Sequence, residues 1–393
     1  MNNWKKVKLS DIIEFNPRET LSKGAIAKKI AMENLEPFTR DIPEFEYLEF
    51  RGGTKFRNGD TLMARITPSL ENGKTSKVNL LDEDEVGFGS TEFIVVRSKE
   101  NISDENFVYY LMIAPNIREV AIKSMVGTSG RQRVQLDVVK NHEILCPPLK
   151  EQIRIGKTLK ALDDKIENNK KINHHLEQMA QAIFKSWFID FDPFGGEKPS
   201  DWKTANLTDI AEFLNGLAMQ KYRPLDNEES LPVLKIKELR QGIFDSSSDL
   251  CSANIKRPYI IQDGDVIFSW SGSLLVDFWT GGIGGLNQHL FKVSSQEYDK
   301  WFYYSWTKYY LDEFIAIAAD KATTMGHITR KSLEKAEILI PNDHDYKSIG
   351  LLLAPTYNQI ISNRIENRKL MEVRNSLLPK LLSGEISVNQ ATK

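Results

Sequence analysis

Few residues of this 393-residue chain stand at spacings that support catalysis. The tripeptide GKT at residues 73–75 resembles the end of a phosphate-binding loop, but that motif needs a glycine where the chain has Pro68. Asn16-Pro17 is not followed by the aromatic residue that an amino-methyltransferase would need to stack a flipped base. Cys146, Cys251 and the six histidines form no zinc, disulfide or nucleophile pattern. The sequence therefore predicts a binding protein without catalytic, cofactor or metal residues of its own.

Two polar loops carry side chains that suit a nucleic acid. They are residues 126–134 (VGTSGRQRV) and 323–330 (TTMGHITR). Arginine, glutamine, histidine and threonine can contact base edges or phosphates, and glycine allows close approach of the backbone. Each loop lies in a local basic excess, at residues 118–140 and 321–335. For one loop alone, a solvated surface turn would be the favoured alternative.

Two long helices are predicted to position these loops. Apolar residues recur in steps of four and three from Ile155 to Trp187, which is a heptad pattern. The pattern recurs without a gap in residues 341–388, at an offset of 194 (341 − 147). The residues expected to pair the helices are Leu159, Leu162, Ile166, Asn169, Asn173, Leu176, Leu353, Ile360, Asn363, Asn367 and Leu370.

Both helices interrupt their apolar seam with two asparagines. If the helices are antiparallel, Asn169 approaches Asn367 and Asn173 approaches Asn363. We expect hydrogen bonds between these amides, because polar residues at seam positions fix the register at some cost in stability.

The segments that precede the helices are also duplicated. Residues 4–15 and 202–213 share a Trp, Leu, Asp, Ile, Glu and Phe at an offset of 198 (202 − 4). In each copy a Gly-Asp turn enters an apolar run, which predicts a strand. Further strands are predicted at residues 93–97 and 290–293, and helices at residues 106–117 and 299–314. The expected fold is α+β, with two mixed domains, two long antiparallel coiled-coil helices and an internal pseudo-twofold repeat.

Composition sets the class of protein. An apolar fraction of 41% and a charged fraction of 27% are those of a soluble globular protein. Neither a membrane-length apolar run nor a signal peptide is recognisable, so the cytoplasm is the expected location. The net charge is −2, so a DNA-binding face must be local rather than global.

Four strings resemble the specificity subunit of type I restriction-modification systems: PPLKEQ at 147–152, IENN at 166–169, FKSWFIDFDP at 184–193 and LLPKLLSGEI at 377–386. The resemblance covers the whole chain in the order of that family. It implies a first target-recognition domain at 1–146, a conserved spacer helix at 147–194, a second target-recognition domain at 195–340, a second conserved helix at 341–388 and a disordered tail at 389–393.

The resemblance also implies partners. Two methyltransferase subunits would complete a modification enzyme, and two motor-nuclease subunits would complete the restriction complex. S-adenosylmethionine, ATP and magnesium are expected on those partners and not on this chain. Each target-recognition domain would read one half of an asymmetric split site in double-stranded DNA. The paired helices would set the spacing, since residues 151–188 would extend ~57 Å, or ~17 base pairs.

The DNA contacts are predicted from composition and repeat position. In the first half they are Lys55, Arg57, Arg65, Ser90, Thr91, Arg131, Gln132 and Arg133, and in the second they are Lys235, Lys237, Asn287, Gln288, His289, His327, Thr329 and Arg330. The aromatic end of the first helix, residues 184–194, is either core or a methyltransferase docking site. A stand-alone methyltransferase or nuclease and a coiled-coil scaffold unrelated to DNA are the alternative functions.

Overall fold

The computed structural model describes residues 3–128, 130–320 and 326–391, and the chain divides into two compact units. Unit 1 consists of the residues up to Glu167 together with those from Leu370 onward, and unit 2 is Asn168–Lys369. The divisions fall inside two long helices, Leu149–Phe188 and Asp343–Ser383. Each unit therefore contains a part of both helices.

Unit 1 is built from short strands and helices that precede the first long helix. The strands are β1 (Lys5–Lys8), β2 (Ile13–Phe15), β3 (Ile26–Ile30), β4 (Glu46–Glu49), β5 (Thr54–Phe56), β6 (Thr61–Ala64), β7 (Thr75–Lys77), β8 (Gly87–Gly89), β9 (Phe93–Ser98) and β10 (Glu143–Cys146). The helices are α1 (Leu9–Ile12), α2 (Glu105–Ile113), α3 (Pro115–Lys123) and α4 (Leu136–Lys140), followed by the long helix α5 (Leu149–Phe188).

Unit 2 repeats this order. Its strands are β11 (Lys203–Asn206), β12 (Glu212–Asn215), β13 (Ser230–Leu234), β14 (Leu250–Ser252), β15 (Ile260–Ile261), β16 (Val266–Ser269), β17 (Leu275–Phe278), β18 (Gly284–Leu286), β19 (Leu290–Ser294) and β20 (Glu337–Ile340). Its helices are α6 (Leu207–Ile210), α7 (Ile236–Gln241), α8 (Lys300–Tyr309), α9 (Leu311–Asp320) and α10 (Arg330–Lys335), followed by the long helix α11 (Asp343–Ser383) and, in unit 1, the short helix α12 (Val388–Ala391).

The two units share one sheet topology. Within the described residues, unit 1 has sheets of order β2-β9-β6-β7 and β4-β3-β8-β5 and the pair β1-β10. Unit 2 has β12-β19-β16-β17, β14-β13-β18-β15 and β11-β20. The described strand pairs of both units are antiparallel with one exception in each, since β3 pairs with β8 in parallel and β13 pairs with β18 in parallel. The predicted α+β fold with an internal repeat is confirmed.

Each long helix supplies apolar residues to the core of the unit that it crosses. In unit 1, Ile155 and Leu159 of α5 are buried with Leu378 and Leu381 of α11 and with the aromatic face of α2. In unit 2, the core includes Phe184 and Phe188 of α5 together with Ile349, Leu353 and Ile360 of α11. The helices are therefore integral to the globular units, and the aromatic end of α5 is largely core.

Several local predictions are confirmed and others are corrected. The turns at Gly59-Asp60 and Gly264-Asp265 lead into β6 and β16 as expected. The predicted helix 106–117 is two helices that meet at Ala114, because Pro115 starts α3 at its first turn. The predicted helix 299–314 is likewise divided at Tyr310.

The C-terminal end differs from the expectation. The second long helix was expected to extend to residue 388, but α11 ends at Ser383, before Gly384 with its φ of +74°. The chain after Val388 is not a disordered tail up to Ala391. It forms α12, because Val388 is buried in the core of unit 1 and Gln390 Oε1 accepts a hydrogen bond from Ser387 N.

Candidate nucleic-acid interface

In unit 1, two of the predicted arginines converge on one carboxylate. Arg133 Nε lies 3.0 Å from Glu92 Oε2, and Arg133 Nη2 lies 2.6 Å from Glu92 Oε1. Arg65 Nε lies 3.8 Å from the same carboxylate. The hydrogen bond from Arg133 lowers the pKa of Glu92 below its usual range. With two guanidinium groups and one carboxylate, this cluster carries one net positive charge at neutral pH.

Backbone hydrogen bonds hold these three residues together at the end of β6. Arg65 N donates to Glu92 O at 3.0 Å, and Val134 N donates to Arg65 O at 2.9 Å. Arg133 also forms isolated bridges with Ile66 and Val126. Within the polar loop predicted at 126–134, residue 129 lies outside the described part of the chain, whereas Arg133 and Val134 are fixed to the end of β6.

In unit 2 the equivalent cluster is aromatic. The ring centroids of Trp270 and His289 are 6.2 Å apart, and those of Trp270 and His327 are 6.3 Å apart. A hydrogen bond of 3.0 Å joins Ser271 Oγ to His289 Nδ1, and Trp270 Nε1 donates to Asn215 Oδ1 at 3.0 Å. The cluster presents imidazole and indole edges where unit 1 presents guanidinium groups.

The remaining predicted contacts of unit 1 are divided between the surface and ion pairs. Lys55 Nζ donates to Glu19 O at 3.1 Å and lies over the ring of Phe50, and Arg57 pairs with the Glu19 carboxylate at 2.8 Å. Glu92 N donates to the hydroxyl of Ser90. Thr91 and Arg131 are exposed, and Gln132 O accepts a hydrogen bond from Thr67 N.

The remaining predicted contacts of unit 2 lie in two clefts or in exposed ion pairs. Lys235 and Asn287 line one cleft of about 400 Å³, and Lys235 is paired with Asp249. Thr329 and Arg330 line another cleft of about 680 Å³, together with Trp270 and Asn215.

Other predicted residues of unit 2 make contacts close to their own elements. Lys237 pairs with Asp245 at 3.0 Å. Asn287 is buried, and its side-chain oxygen accepts a hydrogen bond from His289 N. Gln288 Nε2 lies 3.3 Å from His289 Nε2.

The predicted basic clusters hold fewer free charges than their sequences suggest. Arg118 is half-buried, lies over the ring of Phe38 and donates to Glu71 O at 3.2 Å. Burial lowers its pKa. Lys123 pairs with Glu119. In the second cluster, residues 321–325 lie outside the described part of the chain, and Arg330 is 84% exposed beside Glu334.

The asparagine pairs expected between the long helices are present in unit 2. Asn169 Nδ2 donates to Asn367 Oδ1 at 2.9 Å, and Asn363 Nδ2 donates to Asn173 Oδ1 at 2.8 Å. All four residues are buried. The two helices are therefore antiparallel, with the register that the repeat predicts.

The apolar seam is less regular than the heptad suggests. Leu159, Ile166, Leu353 and Ile360 are buried, but Leu162, Leu176 and Leu370 are only half-buried. In unit 1 a buried ion pair crosses between the helices instead, where Arg374 Nη1 lies 2.6 Å from Asp163 Oδ1. Tyr110 OH donates to the other carboxylate oxygen.

Sequence reasoning missed Glu92, Trp270 and Asn215. For Glu92 a signal was available in the repeat, because Glu92 directly precedes the predicted strand 93–97 in the same way that His289 precedes the predicted strand 290–293, 197 residues later (289 − 92). No cluster of three potential metal ligands occurs among the described residues, and none of the described helices is long and apolar enough to cross a membrane.

Comparison with known proteins places this geometry in a family. The model of the type I restriction modification DNA specificity domain matches the chain twice, over residues 1–178 and 199–372. The chain belongs to this family, as the motifs indicated.

Proteins that align with most of this chain are also specificity subunits of type I restriction enzymes. It is 28% identical over 312 residues to the type I restriction enzyme MjaIX specificity subunit of Methanocaldococcus jannaschii, which covers 74% of this chain and 71% of the relative. It is 23% identical over 470 residues to the HindI specificity subunit of Haemophilus influenzae, covering 98% and 100%. The crystal structure of the S subunit of a type I restriction-modification system from M. genitalium shares the fold, with a TM-score of 0.58, 14% identity and coverage of 97% and 96%.

Proposed function

We propose that each unit reads one half of a split, asymmetric site in double-stranded DNA. The observation that carries this proposal is that the family's DNA specificity domain occurs twice in one chain. The two copies share a strand order but present different side chains at equivalent positions. Two readers of different chemistry in one subunit would recognise two different half-sites.

The paired helices would then act as the spacer between the half-sites. Helix α5 has 40 residues and α11 has 41. A helix of that length extends ~60 Å, which spans ~18 base pairs at ~3.4 Å each. Half-sites on one face of the duplex recur every ~34 Å, so a rod of this length can serve two readers separated by at least one helical turn. The buried asparagine pairs would fix this length by fixing the register.

The chain would supply recognition, and its partners would supply chemistry. We expect it to dock two methyltransferase subunits, and two motor-nuclease subunits in the restriction complex. Adenine methylation, ATP hydrolysis and DNA cleavage would belong to those partners, as would S-adenosylmethionine, ATP and magnesium. The surface that docks the methyltransferase would lie on the helices.

The test is to co-express the chain with its methyltransferase subunit and to map methylated adenines across the host genome by single-molecule sequencing. We expect one split motif with two unlike halves. Replacing residues 1–146 by the corresponding residues of another family member should change one half and leave the other intact. A stable complex that methylates no defined motif would contradict the proposal, and so would a replacement that alters both halves.

A further inference from the structure

The two units place three residues at the same backbone positions and give them different chemistry. Three contacts define the positions in unit 1: Arg65 N donates to Glu92 O, Val134 N donates to Arg65 O, and Ile66 forms a bridge with Arg133. Unit 2 has the same three contacts: Trp270 N donates to His289 O, Ile328 N donates to Trp270 O, and Ser271 forms a bridge with His327.

These contacts align Arg65, Glu92 and Arg133 with Trp270, His289 and His327. The correspondence involves backbone atoms only. A site that both units build in the same way, and fill with unlike side chains, has the properties of a specificity determinant.

The way in which Glu92 holds Arg133 leaves one edge of the guanidinium open. Glu92 accepts hydrogen bonds from Nε and Nη2 of Arg133. A guanidinium has five N–H donors, so Nη1 and the second hydrogen of Nη2 remain. Nη1 has no hydrogen-bond acceptor among the described residues. The side chain of Arg133 is 43% exposed, so the open edge can meet solvent or a ligand.

A purely structural arginine in the same unit looks different. Arg97 gives Nε and Nη2 to Asp60, which is 1% exposed, and gives Nη1 to Glu19 at 2.7 Å. Both edges of its guanidinium are therefore occupied. Arg133 shares the carboxylate clamp of Arg97 but lacks the second partner.

A fixed guanidinium with one open edge matches a particular base. Guanine presents O6 and N7 as two adjacent acceptors in the major groove, and arginine donates to both in a bidentate pair. A free arginine would have to be ordered on binding, whereas a clamped one is already oriented.

We infer that Arg133 reads a guanine in the first half-site and that Glu92 is the positioning residue that orients it. The inference rests on the proposed function, since it assigns a base to one of its half-sites. Lysine could supply the charge at position 133 but not the planar fork. In unit 2, the aligned residues contain no arginine, so that half-site is read at this position by imidazole or indole edges.

The experiment uses the full chain in complex with its methyltransferase subunit. Binding is measured by competition on duplexes that carry the mapped site, with each guanine of the first half replaced singly by another base or by 7-deazaguanine, which lacks the N7 acceptor. The wild-type complex should lose about 10- to 100-fold in affinity when the guanine is replaced, and about 10-fold for the 7-deaza substitution at that one position.

Two variants separate reading from positioning. In the Arg133→Lys complex, replacing guanine by 7-deazaguanine should cause no further loss of affinity, because lysine lacks the planar pair of donors that contacts N7. With Glu92→Gln, the preference for guanine at the same position should fall about 3- to 10-fold, while affinity for unrelated DNA stays equal or rises because a negative charge is removed. Thermal unfolding of both variants should match the wild type within a few degrees.

The matched controls come from an exposed pair in the same unit. Arg51 Nη2 lies 2.8 Å from Glu49 Oε2, and the side chain of Arg51 is 79% exposed. Arg51→Lys and Glu49→Gln make the same chemical changes, and they should leave the guanine preference unchanged.

The failure of this inference is distinct from the failure of the proposed function. A defined motif without guanine in its first half would overturn the assignment of Arg133 and leave half-site reading intact. Retention of the 7-deaza effect in Arg133→Lys would do the same. The absence of any motif would instead contradict the proposed function itself.

Discussion

The two units have the same strand order, but the ion pairs that join their globular parts to the long helices have the opposite arrangement of charges. In unit 1 the cation belongs to the sheet domain, where Arg40 pairs with Asp164 of α5 at 2.8 Å. In unit 2 the cations belong to the helix, where Arg364 and Arg368 of α11 pair with Asp277 and Asp263. A repeated topology can therefore be kept while the charges that support it are exchanged.

The same freedom is visible at the candidate interface. Backbone bonds place the two clusters, whereas side chains decide whether guanidinium or imidazole groups are presented. Because topology depends on the backbone and the buried apolar residues, the polar residues can change without loss of the fold. The proposed reading of two different half-sites from one scaffold would require this separation.

The largest expected effect breaks the buried ion pair of unit 1. Asp163 and Arg374 are each 5% exposed, and Tyr110 donates to the same carboxylate. Asp163→Ala should lower the free energy of unfolding of unit 1 by about 3–5 kcal/mol, because the Arg374 charge stays buried without its partner.

Spectroscopy can distinguish the units in this experiment. Six of the seven tryptophans lie in unit 2, since only Trp4 lies in unit 1 (7 − 1). In denaturation of the Asp163→Ala protein, circular dichroism should show an unfolding transition of unit 1 at low denaturant concentration. Tryptophan fluorescence, which reports mainly on unit 2, should show a transition at higher denaturant concentration. Coincident, unshifted transitions would show that the pair contributes little.

Breaking an ion pair of unit 2 is expected to lower the free energy of unfolding by less. Arg368 donates to both oxygens of Asp263, at 3.0 and 2.8 Å, and its side chain is 19% exposed. Arg368→Ala should cost about 1.5–3 kcal/mol, seen in the tryptophan transition, because charge-assisted hydrogen bonds are lost from a half-buried site.

An exposed ion pair provides the control for Arg368. Lys123 is 74% exposed beside Glu119, so Lys123→Ala should change stability by less than about 0.5 kcal/mol. Equal losses in the two variants would mean that burial does not decide the strength of these pairs.

The asparagine pairs predict a change that depends on whether one or both partners are replaced. Asn173→Ala should cost about 1–2 kcal/mol, because the Asn363 amide is left buried without its acceptor. Replacing all four asparagines by leucine should keep or raise stability but loosen register, which sedimentation would detect as altered oligomeric state. An unaltered oligomeric state and unchanged helix pairing in the leucine variant would refute a role in register.

The smallest expected effect on stability concerns Asp245, which pairs with Lys237 of α7, a helix that unit 1 lacks at the equivalent place. Helix α7 lies between β13 and β14, where the equivalent segment of unit 1, residues 31–45, is irregular. Hydrogen bonds from Ser247 and Lys237 lower the pKa of Asp245 to about 2. A carboxylate with a lowered pKa stabilises the fold above its unfolded pKa of 3.8, and this contribution is lost as the pH falls towards 2.

The measurement is a comparison of Asp245→Asn with the wild type over a range of pH. The variant should be slightly less stable at pH 7, and the difference should shrink between pH 4 and about 2. A difference that does not depend on pH would show that the charge of Asp245 is not the cause.

Periodic features were predictable from the sequence, because they depend on local spacing. The asparagine register followed from two heptad patterns at one offset, and β6 and β16 followed from Gly-Asp turns. The helix break at Ala114 could have been read from Pro115, whereas Tyr310 offers no comparable signal.

Contacts between distant charges were not predictable. Arg118 was assigned to a basic cluster, yet it lies over the ring of Phe38, 80 residues away (118 − 38). Asp163 and Arg374 are 211 residues apart, and neither residue type indicates burial. The partner of Arg133 was missed because Glu92 lies 41 residues away, in the turn before β9, and an acidic residue did not suggest a DNA contact.

The division of the chain within its two long helices has a consequence for synthesis. Unit 2 is continuous in sequence, but the core of unit 1 includes Leu378, Leu381 and Val388. During translation the core of unit 1 can close only after residues 378–388 have been made, whereas unit 2 has all its residues once Lys369 has been added. Unit 1 is begun before unit 2 and completed after it, so a chain truncated after Lys369 would contain all of unit 2 and an incomplete core of unit 1.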